Sequence, residues 1–378
     1  MKSSAIVLFL GTLFLTGARA QTVVTLTTSA SSIDDDIILD AEGNLYGSNY
    51  NGSAIFKRSP TGEESTFTGG LNTPNGLAFA ADGNLIAVDN QGNRIYRVFP
   101  DGTKEIFIAP IQGPSGILRE YDSDTLIVTS YTTHKIWKIA PDSSVTEYLT
   151  HPEFNGPVGL CYDDEKNLYV ANFNDRKIFK VTPDGEISLF AHPPLGQYIG
   201  FIAYANGYLY ATAMNAHKIY RIDPDGNYSV WLGSTAGTAD GDASSARFNQ
   251  PNGIRASFTG DTLYVSDFGS KRVRMITDLN GTVATQNAER PDWQVTVAPN
   301  PARTHTRIAF VLPRAERLRL EAIDEQGHPI GLLVPERHYS AGRHEYNWNT
   351  EGVAAGIYLL KLRSADGEIW TEKVILVE

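Results

Sequence analysis

Residues 81–102 read ADGNLIAVDNQGNRIYRVFPDG. The runs NLIAVD and RIYRV are short, rich in β-branched and aromatic side chains, and bounded by Asn, Asp, Gly and Pro. They predict two strands with a tight turn at each end. Nearly the same phrase returns at 165–185 (EKNLYVANFNDRKIFKVTPDG) and at 205–226 (ANGYLYATAMNAHKIYRIDPDG). The leucine of each phrase recurs as Leu45, Leu85, Leu126, Leu168, Leu209 and Leu263, at steps of 40, 41, 42, 41 and 54 residues. A period near forty built from short strands is the signature of a β-propeller blade of four strands.

One whole unit runs from PNGLAFAADG through NLIAVDNQGN and RIYRVFPDG to TKEIFIAP. Pro100, Pro141, Pro183 and Pro224 hold one turn position, where a fixed φ suits the turn. The long last step reflects a Gly-, Ala-, Ser- and Asp-rich loop between blades five and six. The sixth unit has no fourth strand after Asn280, whereas residues 22–28 (TVVTLTT) form a strand without a blade. The N-terminal strand is therefore expected to complete blade six and leave no open edge. The fold class expected is all-β: a six-bladed β-propeller followed by a small Ig-like β-sandwich. The parts are a signal peptide at 1–20, the propeller at 21–279, a linker at 280–293 and a C-terminal domain at 294–378.

The stretch 233–254 and the recurrent LYV, KI or RI, and PDG elements resemble the NHL-repeat family. They are also similar to the wider regucalcin/gluconolactonase group. The resemblance covers roughly residues 22–278 and implies a six-bladed propeller, a scaffold that hosts hydrolases, lyases and binding modules alike.

Bulk properties narrow the function. A net charge of −11 argues against nucleic acid as a partner, since phosphate binding needs a basic surface. The single cysteine, Cys161, excludes an intramolecular disulfide and reads as a buried core thiol. Lys2, the apolar run at 5–15 and Ala18-Arg19-Ala20 form a targeting segment, and no second apolar run is long enough to span a bilayer.

After Asp278 the alternation in RLRLEAID and IYLLKLRS predicts a small two-sheet domain. Its marks are Pro299-Asn300-Pro301, the turn at 324–327, Ala341-Gly342, Asn347-Trp348-Asn349, Ala355-Gly356-Ile357-Tyr358 and a hydrophobic end. They resemble the C-terminal sorting domain of type IX secretion substrates. The resemblance implies the type IX secretion machinery as a partner and a destination outside the cell or on the outer-membrane surface. The alternative is an ordinary Ig-like carbohydrate-binding or spacing module.

Neighbouring strands in a blade are antiparallel, so strand-one starts and strand-two ends share one face. The strand-one starts read Asp35, Asn75, Ser115, Val158, Ile199 and Asn252. Four residues past each leucine the chain reads Asn49, Asp89, Ser130, Asn172, Ala213 and Asp267. Blades six, one and two are thus oxygen-rich, and blades four and five are apolar, with Phe201 and Met214 nearby. A hard cation such as Ca²⁺ takes oxygen ligands of this kind, and an apolar wall suits one side of an organic ligand. The gluconolactonase resemblance implies a divalent metal at Asp35, Asn75 and Asn252. The departures Ser115, Val158 and Ile199 weigh against lactonase activity. Asn49, Asp89, Ser115, Ser130, Asn172 and Asp267 are the expected ligand face. The structural alternative pairs Asp89 and Asp267 with Arg94 and Arg272 or with turn amides. Tyr50, Tyr131, Phe173 and Phe268 could stack on a sugar or pack between blades, and His134 and His217 read as surface residues.

The function expected is a binding module for a protein, glycan or small molecule. The alternative is a metal-dependent hydrolase of a lactone or sugar acid. A lyase acting on a polysaccharide or cyclic peptide has no residue-level support in these motifs.

Overall fold

The computed structural model describes residues 21–28, 30–120, 123–194, 198–279, 293–323, 329–364 and 369–377. The expected signal peptide, the linker up to residue 292 and the turn at 324–327 lie outside the described residues.

The described residues form strands joined by turns and loops, with one three-residue 3-10 helix, Met214–Ala216. Six antiparallel sheets of propeller type follow one another before the tail, five with four strands and one with five. They are numbered here by their first strands: Ile37–Leu39, Pro74–Phe79, Pro114–Arg119, Pro157–Tyr162, Ile199–Ala205 and Pro251–Ala256. The quoted stretch supplies strands two and three of sheet 2, Leu85–Asp89 and Arg94–Val98.

Burial explains the composition of each strand. Second strands such as Leu85–Asp89, Leu126–Ser130 and Leu168–Asn172 are buried at every residue, because both sides face a neighbouring sheet. They read as continuous apolar runs. Fourth strands lie at the rim and are exposed or half-buried except near their C-terminal ends, as in Lys104–Ile108, where only Ile108 is buried. The residue before strand three, or two before it in sheet 4, adopts a left-handed conformation in sheets 2 to 6, at Asn93, His134, Arg176, His217 and Lys271. This slot explains the two histidines: His134 Nδ1 accepts from the Gly156 amide at 2.9 Å and His217 Nδ1 from the Gln250 amide at 3.0 Å. Each ties a hairpin to the loop leading into the next sheet.

Inner strands of successive sheets approach closely because the residue after each strand-one start is glycine: Gly76, Gly116, Gly159, Gly200 and Gly253. A Cβ on Gly116 would lie 1.9 Å from the Val158 carbonyl oxygen, and one on Gly253 would lie 2.1 Å from that of Asp35. Sheet 1 alone has a side chain in this slot, Asp36.

The expected N-terminal strand is present. Thr22–Thr25 pairs antiparallel with Arg272–Thr277, with Val23 opposite Ile276. The contact from sheet 6 to sheet 1 repeats that between other neighbours. Ser266 Oγ donates to the Asp35 carbonyl at 2.5 Å, as Ser48 Oγ donates to Asn75 (2.7 Å) and Thr212 Oγ1 to Asn252 (2.6 Å).

The loop before sheet 6 is more ordered than its composition suggested. Gly241–Asp242 adds an edge strand beside Thr22–Thr25, and Ala246 and Phe248 are fully buried. Asp240 accepts from Thr25 N (3.0 Å) and Thr25 Oγ1 (2.7 Å) and pairs with the fully buried Arg274 at 2.7 Å.

The tail has two sheets, of three and four strands, that share one core built on Trp293, Phe310, Leu320, Trp348, Leu362 and Trp370. Its sequence marks have structural work. Asn300 donates through Nδ2 to the Lys373 carbonyl (2.7 Å) and accepts from the Ile375 amide (2.9 Å), fastening the first turn to the last strand. The Tyr358 hydroxyl donates to the Ala354 carbonyl at 2.7 Å, and its ring meets Trp348 edge-on.

Candidate functional site

Where the strand-one starts converge, a cavity of about 190 Å³ opens. Its lining comes from two register positions. The strand-one starts give Asp35, Asn75, Ser115, Val158 and Asn252. The residue five past each leucine gives Tyr50, Asn90, Tyr131, Phe173, Met214 and Phe268, and Phe201 completes the wall. Asp35, Asn75 and Asn252, the expected metal residues, thus meet in one place together with Ser115.

Asn49, Asp89, Ser130, Asn172 and Asp267 lie elsewhere. They occupy the last position of strand two or the residue just after it, and bond to the loop before strand one or to the turn that follows. Asp89 accepts from the Asn72 amide (2.8 Å). Ser130 Oγ donates to the Gln112 carbonyl (2.5 Å) and Asn172 Nδ2 to the Glu153 carbonyl (2.7 Å). Asp267 faces Arg274 at 3.4 Å, not Arg272, and Asn49 is half-buried beside Gly52. The next residue, one step along, reaches the mouth. Side-chain direction alternates along a strand, so a single step separates the cavity wall from the turn.

The three consecutive acids of sheet 1 have different surroundings. Asp34 forms an ion pair with Lys271 and accepts from the Tyr50 amide at 2.7 Å. Asp36 accepts from the Ile37 (2.8 Å) and Leu77 (2.9 Å) amides and pairs with Arg255 at 3.2 Å. The Asp35 carboxylate, between them, receives one hydrogen bond, from Asn252 Nδ2 at 2.7 Å. Its Oδ2 and the Asn75 Oδ1 are buried without a hydrogen-bond partner. Burial foremost, then the charges of Asp34 and Asp36, push the Asp35 carboxyl well above the ordinary carboxylate range. Arg255, the partner of Asp36, also donates through Nε to the Ile37 carbonyl (2.9 Å) and does not line this cavity.

The opposite wall is aromatic. Phe173 stacks on Tyr198 with centroids 4.7 Å apart, and the Tyr131 ring meets Phe173 edge-on while its hydroxyl donates to Asn174 at 2.9 Å. The site therefore offers hydrogen-bonding atoms on one side and ring faces on the other. Among the described residues, no group of three or more His, Cys, Asp or Glu gathers in a metal-holding arrangement. Any cation in the cavity would rely on Asp35 and on amide and hydroxyl oxygens.

Two overlapping spans, residues 15–232 and 60–277, match the virginiamycin B lyase family, as a shifted repeat would. Residues 296–377 match the secretion system C-terminal sorting domain, which points to type IX secretion and to delivery at the cell surface or outside. No curated protein matches the chain. Among solved structures, a virginiamycin B lyase from Staphylococcus aureus is 22% identical over 64% of this chain and 79% of that one, with a TM-score of 0.51. An auxiliary nutrient binding protein from Bacteroides thetaiotaomicron is 15% identical over 68% and 76%, with a TM-score of 0.60. A gluconolactonase from Xanthomonas campestris is 16% identical over 68% and 89%, with a TM-score of 0.57. At these identities the likeness is one of fold. In its repeating sheets the chain belongs to the virginiamycin B lyase family, and it carries a secretion sorting domain after them.

Proposed function

We propose that this protein is a secreted six-bladed propeller with an Ig-like sorting tail, and that it binds a compact organic ligand in the cavity headed by Asp35. The repeated sheet-to-sheet contact that links sheet 6 to sheet 1 supports a closed ring. The observation that carries the ligand reading is the division of the cavity wall. Asp35, Asn75, Asn90, Ser115 and Asn252 face Phe173, Phe201, Met214 and Val158. Such a wall suits one sugar ring or a similarly sized molecule with a hydroxylated edge and an apolar face. Delivery outside the cell fits a role in capturing nutrients or other ligands there.

A second reading has one observation in its favour. The unpartnered Asp35 Oδ2 and Asn75 Oδ1 are atoms that a divalent cation such as Ca²⁺ would take, with Ser115 and Asn252 beside them. A bound cation would supply Lewis-acid polarisation for a lactone hydrolase or a lyase of the family type.

The test is a thermal melt of the full chain, in EDTA, with Ca²⁺, Mg²⁺, Mn²⁺ and Zn²⁺ singly, and with a panel of monosaccharides and sugar acids. A ligand bound only by the folded state raises the midpoint. A metal-free rise with a sugar, lost in Phe173→Ala, supports the binding reading. A rise that needs a metal and is lost in Asp35→Ala supports the second reading. No rise under any condition overturns both.

A further inference from the structure

The four-stranded tail sheet has an outward face that is not free. In the strand Glu316–Ile323, Leu318, Leu320 and Ala322 point into the tail core, so Arg319, Glu321 and Ile323 point away from it. Lys361 and Arg363 share that outward face on Gly356–Ser364. Register sets Arg319 opposite Arg363 and Glu321 opposite Lys361. Charged groups on the outside of a small two-sheet domain are normally solvated. Here Glu321 is 6% and Lys361 8% exposed, and Ile323 is also buried.

The propeller covers them. Glu321, Ile323 and Lys361 line a cavity with Leu118, Cys161, Ile202 and Arg255, on the turn side of the sheets and away from the ligand cavity. At its edge Asp164 pairs with Arg363 at 2.7 Å and with Arg319 at 3.2 Å. Two arginines directly opposite on neighbouring strands repel unless an anion lies between them, and Asp164 is that anion. Its carboxyl is held below the usual range despite burial, through Arg363, Lys361 and Arg319.

Asp164 is not part of the repeat. The neighbouring Asp163 caps its turn by accepting from Asn167 N (2.8 Å) and Asn167 Nδ2 (2.7 Å), as Asp40 does for Asn44 in sheet 1. The slot after that cap holds Ala41 in sheet 1 and Ala81 in sheet 2. The turn does not require an acid there; Asp164 serves the tail arginines and also accepts from the Tyr204 hydroxyl of sheet 5 at 3.3 Å.

We propose that the sorting tail is a cis ligand of its own propeller, docked on the face opposite the ligand cavity with Asp164 as the receptor residue. The docked tail covers the Cys161 and Arg255 end of the axis, and its removal exposes an acidic face formed by Asp163, Asp164 and Glu165. This is independent of what the ligand cavity binds.

The test uses the chain from Gln21 onward with a site-specific protease sequence inserted in the 280–292 segment. After cutting, the two parts are run on size exclusion at about 0.15 M salt. The expected result is co-elution for the wild type and separation for Asp164→Arg. Co-elution should return when Asp164→Arg is combined with Arg319→Asp and Arg363→Asp. Circular dichroism melts establish that each variant is folded, and Asp164→Asn, a milder change, should weaken co-elution without abolishing folding. Separation of the wild-type parts, or undiminished co-elution of a folded Asp164→Arg, overturns the proposal.

Discussion

Removing the Arg255 side chain tests how the axis of the sheet array is held. Arg255 is a quarter exposed and Asp36 is 1% exposed, and the pair sits where the other five sheets have only glycine beside the axis. Arg255→Ala leaves Asp36 buried with two backbone amides and no counter-charge. Breaking a buried pair in this way costs about 3–5 kcal/mol, and the partial exposure of Arg255 places the value near about 3 kcal/mol. For a unit of this size that corresponds to a fall of about 6–12 °C in melting midpoint. The loss comes from a stranded charge, so adding Asp36→Asn should recover stability, with a coupling energy of about 1.5–2 kcal/mol in a double-mutant cycle. The assay is urea unfolding of the four proteins at pH 7, followed by circular dichroism, with slope and midpoint reported separately. If Arg255→Ala stays within about 0.5 kcal/mol of the wild type, or if Asp36→Asn deepens its loss, the electrostatic account of the axis fails.

Two further outcomes follow from the same structure. Burial raises the Asp267 carboxyl to about 6 against the pull of Arg274, so the folded state holds this proton more tightly than the unfolded chain. The group's contribution is therefore full below about pH 4 and declines, by about 3 kcal/mol in all, as pH rises to about 6. Unfolding curves at half-unit pH steps should show Asp267→Asn with a shallower decline than the wild type, and parallel curves would refute the assignment. Gly116→Ala should lower stability by about 3 kcal/mol or more, above the usual overpacking range, because its new Cβ meets a backbone carbonyl at 1.9 Å. An unchanged midpoint would mean that the inner strands can separate without cost.

The sheet repeat was legible because turn residues punctuate it and the leucine period is nearly constant. The cavity was legible in one of its two rings. The strand-one starts stood out by chemistry, as acids and amides against Val158 and Ile199. In the second ring the polar residues, such as Asp89 and Asn172, bond to loop backbone, and the cavity is lined by the residues one step on. The aromatic residues one step on, Tyr50, Tyr131, Phe173 and Phe268, line the mouth. Their recurrence was visible, but the sequence does not say whether a ring packs between blades or over an opening. The ordered insertion was hidden because its only buried side chains are Ala246 and Phe248, and because Arg274, its buried partner, looks like any basic residue in strand three. The docked tail was hidden for another reason. It depends on one off-pattern acid, Asp164, meeting a pair of arginines brought together only by strand register.

The N-terminal strand also governs how the protein can fold. Val23 must meet Ile276, so the pairing that finishes sheet 6 joins opposite ends of the sheet-forming chain. Hairpins within each sheet are local and can form early, whereas this closure must wait until the last strand is available. Entropy makes such long-range pairing slow, although the extra cost grows only logarithmically with loop length. Until that pairing forms, the outer edge of Arg272–Thr277 stands unpaired, open to any extended segment that arrives first. The exposed edge of the partly folded chain therefore lies at the C-terminal end of the repeating sheets, and the N-terminal strand is what covers it.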